Sequence, residues 1–582
     1  MKKISDINNG ILFIVAAILL ISSFLYFQFV VPYHFFFKEQ IQLFIYDSTY
    51  ILPYFSKPGG LACLIGDFLT QFLYFKYGGA TVISTLLILE WLLIIKILHS
   101  FSIKQMSPLW ALFPIIVEIM YIWEIDFSIA MSVSFALVLL AIYIYTKIRK
   151  TNISLILGIL FIPTLYILIG SAMFLFPLFV ILHEIYSGKK RFFYFLSLIV
   201  LSTVIPYLFR SYYLITVNQA YFYPYLSFKQ QGSLITIAII LFVSCVKIIH
   251  KLRITFTLFS STVFFILVFA GVGLKLRTNT KREKLLGMAQ EYNYNNLNKV
   301  LKIAEISNYK DAIMTYYTNL ALSGQNQLGD RMMEFYQPFV SGLFLPVNSE
   351  SNWFIIYFSG DVFYHIGDMN LAQHSAMLSM SFSPYSRSSH LIKRLIEINI
   401  STGDIPAAMK YIRILEASWF HKKTALKLKE IALSQADNKT AFNNLRSKIH
   451  KIDFLRSSQN QQKSLEFLVK SDPENNAALN YLLSYHLMSK NIPAFFNVYN
   501  DYLKGKINIV PKMYAEALLI YFAAFKTKPE KIMEYGIDIN IIKNFNEYTN
   551  LYESSGGNLG LLQKRFPNTY FLFYHFATLK NE

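Results

Sequence analysis

Nine apolar runs of 16 to 21 residues crowd into residues 11–274. A helix rises about 1.5 Å per residue, so about 20 residues cross the roughly 30 Å hydrocarbon core of a bilayer. The runs are 11–31, 80–98, 108–123, 127–145, 153–169, 171–186, 192–208, 233–250 and 254–274. Lipid is the only solvent that accepts so many of them in succession, and it restricts each to a helix. The run at 108–123 is short, and Gly170 leaves only a tight reversal between its neighbours. Residues 11–31 are uncharged and run through Tyr26, Phe27 and Phe29 into Val30, Val31 and Pro32. A cleaved signal has a shorter apolar core and a small-residue cleavage site, so this segment reads as an uncleaved anchor.

The basic residues orient the bundle. Lys2 and Lys3 precede the first run. Alternate threading then gathers Lys96 with Lys104, Lys147 with Arg149 and Lys150, Lys189 with Lys190 and Arg191, and Lys247 with Lys251 and Arg253 on one side. Positive residues collect on the cytoplasmic side, which predicts a cytoplasmic N-terminus and a C-terminal half outside the cytoplasm. A tenth crossing at 61–77 would invert every later cluster and is rejected. The chain carries a formal charge of +19, but most positive residues of the first half fall in those clusters and the rest, spread through the second half, form no stripe, which argues against nucleic acid. Only 15% of residues are charged, against about 25% in soluble proteins. Cys63 and Cys245 supply neither a disulfide framework nor a metal set and read as small apolar residues.

Residues 31–79 link the first two runs without becoming a polar loop. They carry Glu39, Asp47 and Asp67, and split at Lys57-Pro58-Gly59-Gly60, since proline and paired glycines end helices. Two amphipathic helices, 35–46 and 61–77, are predicted to lie in the membrane interface, either as an inert collar or around a site. Further polar residues on the same side are Glu124 and Asp126 in one turn, and Arg210, Tyr212, Tyr213, Tyr221, Tyr223, Tyr225 and Lys229 in another loop. Glu90 and Glu118 stand inside predicted spans, where ionisable residues are functional candidates by default. Glu118 is placed to join the outer cluster, whereas Glu90 is expected to pair with Lys96 or snorkel.

Beyond residues 275–282 the pattern becomes helix pairs with short turns: 296–306 with 309–323, then 353–384, about 389–420, and 479–503 with a turn at 490–493. Gly360, Phe363, Gly367, Ala372, Ala376 and Pro384 take tetratricopeptide-like spacings. Gly403, Asp404 and Ala408 repeat Gly367, Asp368 and Ala372 after 36 residues. The predicted architecture is therefore all-α: a polytopic membrane domain over 1–275 with an outer loop at 32–79, then an extracytoplasmic tetratricopeptide-like α-solenoid over 276–582. Such solenoids bind peptides or proteins on concave surfaces; the alternative is a self-packed cap. His365, His374, His390 and His421 read as surface or packing residues. The sequence shows no catalytic triad spacing, zinc-ligand spacing or phosphate-binding glycine loop.

FFKEQIQLF, FSKPGGLACLIGDFLTQFLYFKYGGA and GDVFYHIGDMNLAQHSAMLSMSFSP, followed by LIKRLIE and AAMKYIRILE, resemble a family of uncharacterised multi-pass membrane proteins from Bacteroides-type bacteria. That resemblance covers most of the chain and implies the inner membrane of a diderm envelope, with a periplasmic C-terminal domain, but no activity. The layout also resembles, more loosely, the lipid-dependent type C glycosyltransferases. It implies a polyprenyl-linked sugar as donor, with Glu39, Asp67, Glu124 and Asp126 as candidate catalytic or divalent-cation-binding carboxylates. Arg210 and Lys229 become candidates for the lipid phosphate. The departure is that Glu39 stands between Lys38 and Gln40, where that class has an adjacent acidic pair. Two further readings are a scaffold recruiting envelope proteins through its repeats, and a transporter or flippase, for which Pro163, Gly170 and Pro177 give a faint hint of interrupted spans.

Overall fold

A computed structural model describes residues 2–104, 106–148, 150–189, 191–225, 227–246, 256–307, 309–348, 350–434, 460–527 and 529–578. Arg149, Lys190, Lys247, Lys251 and Arg253, which helped to orient the bundle, lie outside them. The described residues form helices and loops without a strand. They divide into two compact units, one comprising Met1–Thr280 with Ala417–Lys422, the other Lys281–Glu416 with Lys423–Glu582.

The first unit contains α1 (Lys2–Phe29), α2 (Pro32–Ile41), α3 (Ser48–Ile51), α4 (Gly60–Thr70), α5 (Gly78–Ser100), α6 (Ser107–Trp110) and α7 (Leu112–Ile122). Then come α8 (Ile129–Thr146), α9 (Thr151–Ile169), α10 (Leu175–Tyr186), α11 (Phe192–Tyr213), α12 (Val217–Phe222), α13 (Gly232–Cys245) and α14 (Phe256–Arg277). Among the described residues, seven stretches are long and apolar enough to cross a membrane: Leu12–Phe29, Gly78–Ser100, Ile129–Thr146, Thr151–Tyr186, Phe192–Tyr213, Phe228–Cys245 and Phe259–Arg277. Two features separate this count from the nine predicted runs. The 36-residue stretch Thr151–Tyr186 holds two of them, and Ser107–Ile122 is a shorter apolar helix. Gly170 divides the long stretch at φ +67°, and a Cβ there would lie 2.2 Å from the carbonyl oxygen of Tyr223. Only glycine permits both the turn and that approach.

α8 forms the centre of this unit, packing on α4, α5, α9 and α10. Its fit against α4 depends on small residues, because a Cβ on Gly66 would fall 2.4 Å from the Ala130 nitrogen. Small residues allow this approach where lipid gives apolar side chains no reason to leave it. α1, α11 and α14 instead expose Phe13, Phe193 and Phe265, the apolar surface expected toward lipid.

The loop between α1 and α5 departs from the predicted pair of interfacial helices. α2 stops at Ile41, and the backbone is non-helical from Gln42 to Asp47. The Tyr46 N–H donates to the Ala417 carbonyl at 2.8 Å rather than into a helix. Glu39 and Gln71, on the polar sides of the predicted helices, are buried, and so are Lys38 and Gln42. The break at 57–60 is where the sequence puts it: Gly59 has φ +76°, and its N–H donates to the carbonyls of Tyr166 and Ile167 at 3.2 and 3.1 Å. That bond ties the loop to α9.

The second unit is a series of helix hairpins, including Leu297–Ser307 with Ala312–Gly324, Ser389–Thr402 with Ile405–Glu416, and Asn476–Met488 with Ile492–Tyr502. Its repeat signature has a local cause. Gly367 and Gly403 turn the chain at φ +86° and +83°, and the following aspartates cap the next helices, Asp368 Oδ1 on Leu371 N and Asp404 Oδ1 on Ala407 N. Buried charge is neutralised internally: Asp361 accepts from Tyr317 at 2.8 Å and from Arg394 at 3.3 Å. The Arg394 guanidinium also lies 3.8 Å from the centre of the Tyr364 ring.

Candidate functional site

The loop from Val31 to Gly79 carries two of the four candidate carboxylates, and each is enclosed by its own partners. Glu39, on α2, is 5% exposed, and its Oε1 lies 2.6 Å from His421 Nε2. The nitrogen donates, because a carboxylate oxygen accepts. His421 belongs to the short segment Ala417–Lys422 that packs with the first unit. Around this contact Trp419 stacks on Tyr46 at 4.6 Å, and Phe420 packs edge-on to Phe75 at 4.7 Å and against Phe72 and Tyr74. Trp419 and Phe420 thus carry an imidazole to a carboxylate 382 residues away in sequence.

Asp67, on α4, accepts hydrogen bonds from the Gln42 amide and the Tyr54 hydroxyl. The Tyr54 hydroxyl oxygen also lies 2.7 Å from the Tyr50 hydroxyl. The residue keeps some exposed surface, but its carboxyl is enclosed by protein, and burial pushes its pKa up to about 7, against the pull of the two donors. A carboxyl that titrates near neutrality is suited to proton transfer.

Glu124 and Asp126 lie in the turn between α7 and α8. Glu124 pairs with Arg277 at 2.9 Å, both partly exposed. Asp126 is exposed and, with Glu124, supplies the negative field felt by Lys38. The Lys38 ammonium, 5% exposed, donates to the Phe127 carbonyl. Burial lowers its pKa to about 7, and Asp126 and then Glu124 oppose that effect. Lys38 is therefore drawn to the α7–α8 turn, and its sequence neighbour Glu39 is left to His421.

Arg210 closes α11, its guanidinium 5.3 Å from the centre of the Tyr207 ring. Lys229 is exposed in the single 3-10 turn Phe228–Gln231. Among the described residues neither forms an ion pair with the four carboxylates: Glu39 meets His421, Asp67 meets Gln42 and Tyr54, and Glu124 meets Arg277. Asp47 caps α3, accepting from Thr49 N at 2.7 Å. Among the described residues no three His, Cys, Asp or Glu side chains converge on one point. The residues present therefore do not fit the divalent cation that the glycosyltransferase resemblance implies, and no step is routed through one.

Glu90 does not meet Lys96, whose ammonium lies over the Tyr143 ring at 4.8 Å. It faces Glu118 inside the bundle, so Glu118 does not join Glu124 and Asp126 in the α7–α8 turn either. Sequence reasoning took His421 for a surface or packing residue and passed over Tyr54 and Gln42. The available signal was Trp419-Phe420-His421, an aromatic cluster in a turn between helices where polar residues are the norm.

The sequence profile of DUF6057, a family of unknown function, matches residues 7–577. The chain belongs to that family. No curated protein and no solved structure matches it.

Proposed function

We propose that this member of the DUF6057 family is a multi-pass protein of a diderm inner membrane, in which the helical bundle anchors an extracytoplasmic helical-repeat scaffold for envelope proteins. The orientation rests on the clusters of lysine and arginine between apolar runs. The observation that carries the scaffold reading is the commitment of three of the four candidate acids to partners: Glu39 is held by His421, Asp67 by Gln42 and Tyr54, and Glu124 by Arg277. Side chains committed to internal partners serve packing before they serve a substrate. The hairpins of the second unit, with tetratricopeptide-like turns at Gly367 and Gly403, offer the recognition surface instead. One cavity there, of about 240 Å³, is lined by Phe344, Val362, Phe363, His374, Ser375 and Leu378. That combination of apolar wall and polar rim suits an inserted side chain.

The test places a photo-crosslinking amino acid at Leu378 and compares Leu378→Glu with Glu39→Gln and Asp67→Asn in a deletion strain. The scaffold reading expects protein adducts from position 378 and loss of function in Leu378→Glu alone. Loss in Glu39→Gln and Asp67→Asn with intact adducts refutes it. Topology is tested with Ile509→Cys, at a site 83% exposed, in a chain freed of Cys63 and Cys245; labelling by an impermeant maleimide in spheroplasts is expected.

A second reading is favoured by Asp67 itself, whose carboxyl titrates near 7 beside a tyrosine. In a type C-like glycosyltransferase it would deprotonate an acceptor, with Glu39, Glu124 and Asp126 as the other candidate carboxylates and Arg210 and Lys229 holding the phosphate of a polyprenyl-linked sugar. A lipid and glycan profile that changes identically in the deletion and Asp67→Asn strains selects this reading over the scaffold.

A further inference from the structure

The membrane unit contains a second carboxyl pair, remote from the outer loop. α5 brings Glu90 and α7 brings Glu118 to one point, at 0% and 2% exposure. The Glu118 carboxyl has the side chains of Glu90, of Ser132 on α8 and of Ser233 on α13 within reach. Neither oxygen of Glu90 nor Oε2 of Glu118 makes a hydrogen bond of ordinary geometry. The Ser132 hydroxyl, 1% exposed and turned toward Glu118, makes none either.

The groups that would neutralise the pair are engaged elsewhere. The Tyr225 phenol faces both carboxyls but donates to the Met131 carbonyl at 3.0 Å. On α2, Lys38 donates to the Phe127 carbonyl and His34 contacts the Ile122 carbonyl. On α5, Lys96 covers Tyr143 and His99 contacts Ser107 on α6. On α14, Arg277 pairs with Glu124. Tyr26 on α1 meets Trp123 and Thr278, and the side chains of residues 2–9 lie outside the described set.

Two facing carboxylates without a countercharge are costly in such a place, and what the pair lacks is one donor. A single proton supplies it: the protonated carboxyl donates to the ionised one, and the two serine hydroxyls remain to complete the acceptor's shell. A metal ion would need a full shell of oxygens around a gap between the carboxyls, and they lie against each other. We propose that Glu90 and Glu118 form a membrane-embedded proton-binding site that holds one exchangeable proton between them. Loss of that proton to solvent leaves two negative charges face to face and drives α5 from α7, so occupancy of the site is linked to the packing of the bundle.

The experiment uses the purified full-length protein in nanodiscs, labelled with carbon-13 at glutamate, and infrared spectroscopy across pH. An isotope-shifted carbonyl stretch of a protonated carboxyl is expected at neutral pH. It should vanish in Glu90→Gln and in Glu118→Gln, where the glutamine amide supplies the donor and the remaining acid ionises. Persistence of the band in both variants, or its absence from the parent protein, overturns the proposal. Thermal stability checks the same point where a variant folds poorly: the parent should lose stability as the band disappears at high pH. Stabilisation by sodium chloride and not by choline chloride would instead assign the site to a metal cation and overturn it.

Discussion

Replacing Asp67 by asparagine should stabilise the protein at neutral and alkaline pH and destabilise it at acid pH. The Asp67 carboxyl rises from the ordinary 3.8 to about 7 because of its burial. The folded state therefore holds a proton that the unfolded chain releases first. Stability from this group is fully present below about 4 and is lost as pH rises through 7. The interval is about 3 on the pH scale, worth about 4 kcal/mol between its acid and alkaline ends. Asparagine cannot ionise and escapes that loss, but its Nδ2 confronts either Gln42 or Tyr54, both of which donate to Asp67. Donor facing donor costs about 1–3 kcal/mol. The net expectation is a variant more stable by about 1–3 kcal/mol at pH 8 and less stable by about the same amount at pH 4. Chemical unfolding in micelles at several pH values, followed by tryptophan fluorescence, gives the difference curve directly. Taking the difference between variant and parent removes every other titrating group, Lys38 included. A flat difference from pH 4 to 8 would mean that the carboxyl stays ionised throughout, held by its two donors, and would refute the reasoning.

Lys38 titrates in the opposite sense: its pKa falls from 10.5 to about 7, so the unfolded state binds the extra proton and stability rises with pH from about 7 to 10.5. Lys38→Met should flatten that rise in the same unfolding assay. His421→Ala should cost about 1–3 kcal/mol by leaving buried Glu39 without its donor, and His421→Gln should recover much of it; equal stability of all three proteins would show that the contact is idle. Gly66→Val should prevent accumulation of monodisperse protein in size-exclusion profiles, since a Cβ there meets the backbone of α8 at 2.4 Å. Removing Arg277 should change stability by less than about 1 kcal/mol, because its pair with Glu124 is partly exposed and screened.

The sequence by itself determined which parts of the chain form long apolar helices and where helices break. The apolar runs reappear in α1, α5, α8, α9, α10, α11, α13 and α14, and the Pro58-Gly59-Gly60 break and the turns at Gly367 and Gly403 fall where they were read. These features depend on neighbouring residues alone: hydrocarbon length, the left-handed turn that glycine permits, the cap supplied by an aspartate. The length of the 35–46 helix was misjudged because Gln42 and Tyr46 find partners in Asp67 and Ala417 that outbid the local ladder. Only the tertiary structure decided which acid meets which partner. Glu39 reaches His421 across 382 residues, Glu124 reaches Arg277 across 153, and Glu90 faces Glu118 rather than the nearby Lys96. Periodicity places a residue on a helix face, but the occupant of the opposite face is fixed by how helices pack, and in this chain that choice decides the state of every candidate carboxyl.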